Sequence, residues 1–232
     1  MSEFEETVVV VADDTGRGSL NIVNTFVNAG AIVILFSQSE SIDDEAEGFR
    51  VSSDSDRLVT VTGNFERVSG VERLRDELLD RFGRIDALMV STGTRVHTGQ
   101  RITEMSLNAY WSALAGPLIR NFVVTRTFYP VVADAPTGGH CVFVTESVSE
   151  IPQSHAGPQC IAAAAQRMLM RVLLEESGAS NSTPRISEIC SYTRIESCLD
   201  PAESSRDITS IGTVAADIVS SKTGTHGEVV RI

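Results

Sequence analysis

TVVVVA at residues 7–12 and AIVILF at residues 31–36 decide the fold class between them. Each run is too short for a helix and too continuously apolar to alternate between a wet and a dry face. That is how strands buried on both faces of a parallel sheet read. Between the two runs, Leu20, Val23, Phe26 and Val27 fall on one stripe at helical spacing, and Gly30 supplies a turn. The chain therefore opens as strand, helix, strand.

Working outward, the alternation continues. LVTVT at 58–62 reads as a third strand, and Val71, Leu74, Leu78 and Phe82 then make one helical face that Gly83 is placed to cap. ALMV at 87–90 is a fourth strand. A longer helical region follows from about residue 103 to 129, interrupted by Gly116 and Pro117, where a kink is expected because proline removes a backbone donor. HCVFVT at 140–145, a helical face of Ile161, Ala165, Met168, Leu169, Val172 and Leu173, ISEIC at 186–190, a helix at 211–219 and a terminal GEVVRI complete the series. The acidic, serine-rich stretch 37–56 carries neither period and reads as an exposed loop. These elements predict one domain over residues 1–232: an α/β fold with a doubly wound, mostly parallel seven-stranded sheet and helices on both faces, Rossmann-like.

Composition narrows the partners. The 232 residues include 19 basic and 31 acidic side chains, a net charge of −12. Such a surface repels phosphate backbones and anionic headgroups, so neither nucleic acid nor membrane is an expected partner. The start, MSEFEE, is acidic where a secretory signal would be basic and then apolar, and a cytoplasmic location is expected. Four cysteines (Cys141, Cys160, Cys190, Cys198) and four histidines (His97, His140, His155, His226) show no metal-ligand or disulfide-framework spacing. No metal site is expected, and the cysteines read as packing thiols.

Four strings, taken in order, carry a resemblance: NAGAIVILF at 28–36, DRFGRIDALMVSTG at 80–93, ITEMSLNAYW at 102–111, and a helix bearing Arg171, Leu173 and Glu176. Together they resemble the short-chain dehydrogenase/reductase family over nearly the whole chain. The resemblance implies a dinucleotide held at a glycine-rich turn after the first strand, and a Ser, Tyr, Lys and Asn constellation for hydride transfer. This chain departs from both patterns. Asp13, Arg17 and Ser19 stand where the resemblance implies three glycines, and Asn64 where it implies an aspartate facing adenine. Val90, Ser91 and Thr92 replace the Asn-Asn-Ala ahead of Gly93, while Tyr192 and Thr193 replace a Pro-Gly pair. Glu146, with Ser147 beside it, falls at the Ser position, Gln159 at Tyr, Ala163 at Lys and Pro117 at Asn. The separation 159 − 146 = 13 supports that register.

Glutamine has no proton to give near neutral pH, and alanine can neither bind ribose nor perturb a pKa. The resemblance therefore implies a degenerate relative with no catalytic residues and no cofactor of its own. Such a chain would be the structural subunit of a hetero-oligomer, a heterotetramer, whose active family member carries NAD, as in the heteromeric acyl-CoA dehydrogenases of anaerobic toluene breakdown. Two other classes compete: a regulatory module sensing a nucleotide or metabolite, and an enzyme with altered, non-redox chemistry.

Plainer readings stand beside the sharper ones. Glu146 with Gln159 reads as a structural filler before a new acid/amide pair, His155 as a solvated loop residue before a base, and Asp13 with Asp14 as solvent-facing before a Mg²⁺ site. Tyr110 and Trp111 read as packing or interface residues. The run Ala162 to Ala165 serves sheet packing, a subunit contact or both. Met168, Met170 and Val172 are expected to extend an apolar stripe into that contact. The segment 197–207 is short where active relatives build a lid.

Overall fold

In a computed structural model, the described residues are 3–12, 17–38, 49–91, 99–136, 138–178, 184–192, 204–220 and 226–232. Strand β1 (Val8–Ala12) leads to helix α1 (Arg17–Asn28) and β2 (Ile32–Gln38). Then come β3 (Arg50–Ser55), β4 (Leu58–Gly63), α2 (Val68–Phe82), β5 (Ala87–Ser91), a 3₁₀ turn (Ile102–Glu104) and α3 (Leu107–Ala133). The chain closes with β6 (His140–Glu146), a second 3₁₀ turn (Ser147–Ser149), α4 (Gly157–Ser177), β7 (Arg185–Ser191), α5 (Ser204–Ser220) and β8 (Glu228–Arg231).

The strands form one sheet in the order β3-β4-β2-β1-β5-β6-β7-β8, with every pairing parallel except β3 with β4. Chain order reverses between β1 and β5, the switch point where doubly wound sheets gather ligands at the carboxyl ends of their strands. Successive valines of β1 divide two cores. Val8 and Val10 join Val71, Leu74, Phe128 and Met170 on the side of α2, α3 and α4, whereas Val9 and Val11 join Ile22, Phe26, Ile211 and Ala215 on the side of α1 and α5. Continuous apolar strands are thus buried on both faces, as read from the sequence.

Three expectations change. The sheet has eight strands, not seven, because β3 lies within the stretch read as loop. RVSSDS is an edge strand: its side chains are largely polar, so it lacks an apolar signal, and its polarity shields the open edge from further pairing. The helix expected from about residue 103 starts at Leu107, where the Ser106 side chain accepts from the Ala109 N–H at 3.2 Å. It also runs unbroken through Pro117 and Pro130 to Ala133 instead of being interrupted near Gly116. Gly83 caps α2 as expected, at φ 74° with its N–H on Leu79 O at 2.7 Å.

No helix among the described residues is long and apolar enough to cross a membrane, and they contain no group of three potential metal ligands. Cys141 and Cys190 are buried packing thiols and Cys160 is partly buried. His97 and Cys198 lie outside the described residues.

Candidate functional site

The carboxyl edge of the sheet ends in buried polar groups: Ser91 on β5, Glu146 on β6 and Ser191 on β7. Helix α4 packs beside this edge. Its inward stripe is Gln159, Ala163, Gln166, Arg167 and Met170, at steps of three and four that keep them on one face. Gln159 Nε2 donates to Glu146 Oε2 at 3.4 Å, so the structure brings together the two positions that the sequence register paired. Ala163 lies one turn further along, buried and without a polar atom to offer. Pro117 lies on the buried side of α3.

One turn from each degenerate position, other polar residues cross-link the elements. Asn121 Nδ2 donates to Gln166 Oε1 at 2.5 Å, and Gln166 Nε2 donates to Val90 O at 3.1 Å, tying α3 and α4 to β5. Buried amides satisfied this way fix the relative position of three elements.

A second network crosses β6, β7 and β8. Glu188, in the middle of β7 and 0% exposed, accepts from Thr145 Oγ1 at 2.6 Å and faces Arg167 Nε at 3.1 Å. Arg167 Nη1 also pairs with Glu150, which accepts a hydrogen bond from the Tyr192 hydroxyl and meets Arg231 Nη2 at 3.1 Å. The Tyr192 hydrogen bond first, then the Arg167 guanidinium, holds the Glu150 carboxyl down to about 2. The same contact raises the Tyr192 phenol.

Asn64 serves its own turn: its Oδ1 accepts from the Glu66 N–H at 2.9 Å. Arg17 and Ser19 open α1, but their side chains, with Asp13, Asp14, Thr92, Gly93 and Thr193, lie outside the described residues. So does the short segment from 197 up to Ser204, where α5 begins. His155 is exposed, with left-handed backbone at φ 65°. Ala162 and Ala163 are buried, while Ala164 is exposed. Met170 is a correction: it is 2% exposed in the core, whereas Met168 is 55% exposed. Two residues of helix turn a side chain by roughly 200°, so Met170 faces the sheet when Met168 and Val172 face out.

Three of these side chains differ chemically from the Ser, Tyr and Lys that the family resemblance implies for a nicotinamide dinucleotide. Ala163 has no donor for a ribose hydroxyl, Gln159 no titratable proton, and the Glu146 carboxylate adds charge where a neutral hydroxyl is implied. Among the described residues, the edge holds a carboxylate, an amide and an ion-pair cluster.

A doubly wound sheet with its switch point between β1 and β5, and with α3 and α4 flanking the carboxyl edge, defines the Rossmann-like class of α/β protein. The profile described as short chain dehydrogenase matches residues 6–193, and the chain belongs to that family. It is similar to an L-fucose dehydrogenase of Bos taurus, 28% identical over 171 residues, which cover 73% of this chain and 60% of that protein. The match thus spans less than two thirds of that relative's length. Among solved structures, a protein assigned as a short-chain dehydrogenase from Pseudomonas syringae superposes with a TM-score of 0.80 at 15% identity, covering 99% of this chain and 96% of the other. A metagenomic short-chain oxidoreductase, solved with NADP, gives 0.75 at 16% identity and 99% coverage of both chains. At those identities the likeness is one of fold.

Sequence reading missed Glu188, Arg167, Gln166 and Asn121. Glu188 had a signal, a carboxylate in the middle of the apolar run ISEIC, which only a buried partner can accommodate. The amides had none, since polar residues on a long helix face solvent by default.

Proposed function

We propose that this chain is a non-catalytic member of the short-chain dehydrogenase family and serves as a structural subunit of a hetero-oligomeric oxidoreductase. The observation that carries the reading is the pair Gln159 and Ala163 on the buried face of α4, with Glu146 3.4 Å from Gln159. Family resemblance, residue by residue, puts Tyr, Lys and Ser there. An amide moves no proton, and a methyl group neither holds ribose nor lowers a neighbouring pKa. Hydride transfer with matched protonation then belongs to an active relative that carries NAD.

The surface supports an assembled state. Trp111 and Phe122 of α3 are 61% and 50% exposed, and Ile119 follows the same steps of three and four. Ile161, Met168 and Val172 expose an apolar stripe on α4, which packs against α3. Large apolar side chains grouped on two adjacent helices mark a contact surface. The pairing this reading resembles is a heterotetramer of degenerate and active subunits, such as the oxidiser of 2-(α-hydroxybenzyl)succinyl-CoA, with an acyl-CoA as the substrate class.

Calorimetry on the purified chain, with NAD⁺ and NADP⁺ in turn, is expected to show no micromolar binding. In the complex recovered from the native host, Glu146→Ala and Gln159→Ala here should leave turnover unchanged, while replacing the partner's catalytic Tyr abolishes it. Micromolar nucleotide binding with alcohol oxidation by this chain alone would overturn the reading.

A further inference from the structure

Away from the Glu146 and Gln159 pair, an open cleft among the described residues is lined mostly by polar side chains. It lies between the 3₁₀ turn at Ile102–Glu104 and the start of α4, has a volume of about 410 Å³, and is lined by Arg101, Ile102, Thr103, Gln153, Ser154, His155 and Gly157. Each of its polar side chains can donate: two hydroxyls, an amide and an imidazole that also accept, and the Arg101 guanidinium fork, which only donates and carries the charge. Among the described residues no carboxylate lines it, in a chain that carries 31 acidic residues against 19 basic ones. The cleft is therefore a locally cationic, donor-rich recess on an acidic protein, which selects for an anionic, acceptor-rich guest.

Size and the one apolar wall narrow the guest further. A volume of this order suits a small organic molecule rather than a bare inorganic ion, whose share of space is closer to the ~30 Å³ of a water. Ile102, half-exposed, gives such a molecule an apolar surface to lie on. Backbone geometry sets the walls. His155 at φ 65° turns the chain between Gln153 and α4, a conformation that histidine tolerates better than most side chains. A Cβ at Gly157 would sit 3.1 Å from Ile102 Cδ1 and 3.4 Å from its Cβ, so the turn packs directly on the helix start. A larger residue at 157 would push Ile102 into the cleft.

We infer that this cleft binds a small organic anion, a carboxylate on an apolar body, with Arg101 taking the carboxylate in a forked hydrogen bond and Ile102 packing against the body. A planar guanidinium matches a carboxylate bidentately, whereas the hydroxyls and the imidazole supply single further donors. This site is independent of whether the chain is catalytic or assembles with a relative. It concerns different residues from the Glu146 and Gln159 pair.

Benzoate is the probe, with inorganic phosphate as the comparison, titrated into the full chain while the His155 ring and Arg101 side-chain NMR signals are followed. Saturable shifts with benzoate in the ~millimolar range, the affinity ordinary for so few atoms, are expected. Both Arg101→Gln and Gly157→Leu should weaken binding at least ~10-fold, the first by removing the fork and the second by filling the cleft. Circular dichroism melts of both variants should match the wild type, which separates lost binding from lost fold. Absence of saturation, equal affinity for phosphate, or unchanged benzoate binding in a folded Arg101→Gln chain would each overturn the assignment.

Discussion

Replacing Arg167 by alanine strands a carboxylate that has no access to water. Glu188 is 0% exposed, with one oxygen on Thr145 Oγ1 at 2.6 Å and the other on Arg167 Nε at 3.1 Å, a charge contact without the alignment of a hydrogen bond. At that separation and an effective dielectric of about 20, the attraction is on the order of 5 kcal/mol, most of which offsets the cost of dehydrating both groups. The net value of the pair is small, but removing only the arginine leaves the dehydration cost of Glu188 uncompensated, about 3–5 kcal/mol. Glu150 contributes little to that loss, because it is partly exposed and keeps Arg231 and Tyr192 as partners. Urea unfolding at neutral pH, followed by far-UV circular dichroism, should show the midpoint falling with an unchanged slope. Replacing both residues, Arg167→Met with Glu188→Leu, should recover stability to within ~1 kcal/mol of wild type, since neither charge is then buried. A single variant as stable as wild type, or a double variant as weak as the single, would refute the argument that Glu188 depends on Arg167.

Two further outcomes follow from burial. His140 is buried at the start of β6 with Nδ1 lacking a hydrogen-bond partner, and burial first, then the Arg185 charge, pushes its pKa down to about 4. The unfolded chain takes up that proton near the ordinary 6.5, so stability present above 6.5 is lost as pH falls towards 4, by about 3 kcal/mol. Denaturant midpoints across this window should fall less steeply for His140→Gln than for wild type, and parallel curves would contradict the sign. On the helical surface, Phe122→Asp and Met168→Asp should weaken assembly with an active relative at least ~10-fold with the thermal melt preserved. Met170→Arg should instead lower the melt, because Met170 is a core residue. Sedimentation velocity beside calorimetric melting separates the two effects, and a dimer that survives both aspartates would reject the surface.

Legibility in the sequence followed apolar periodicity. Central strands with apolar side chains on both faces, such as 8–12 and 87–91, announce themselves without tertiary information, as does the α2 stripe that ends at Gly83. Edge strand β3 was invisible because its sequence RVSSDS is largely polar, so its place is set by backbone pairing with β4 and by no side-chain pattern. At the site, the family resemblance paired Glu146 with Gln159, the separation of 13 residues supported that register, and the two side chains do meet. Met170 went the other way: an apolar run on α4 was read as one stripe, although alternate members of a helix cannot share a face.

The polar groups at the carboxyl edge are largely committed to one another. Gln166 spends its amide on Asn121 and Val90, Arg167 joins Glu150 to Glu188, and Glu150 also gathers Tyr192 and Arg231. These contacts run between α3, α4, β5, β7 and β8, the elements that a catalytic constellation would otherwise require to be held apart for a ligand. The buried ones among them, Gln166 and Arg167, raise the cost of admitting a guest, since each must give up a partner before it can take a new one. The cleft at Arg101 and His155 differs in kind, being open, lined by donors and, among the described residues, free of carboxylates. If this chain recognises a small molecule, the chemistry therefore favours that recess over the edge where the fold ordinarily receives its ligand.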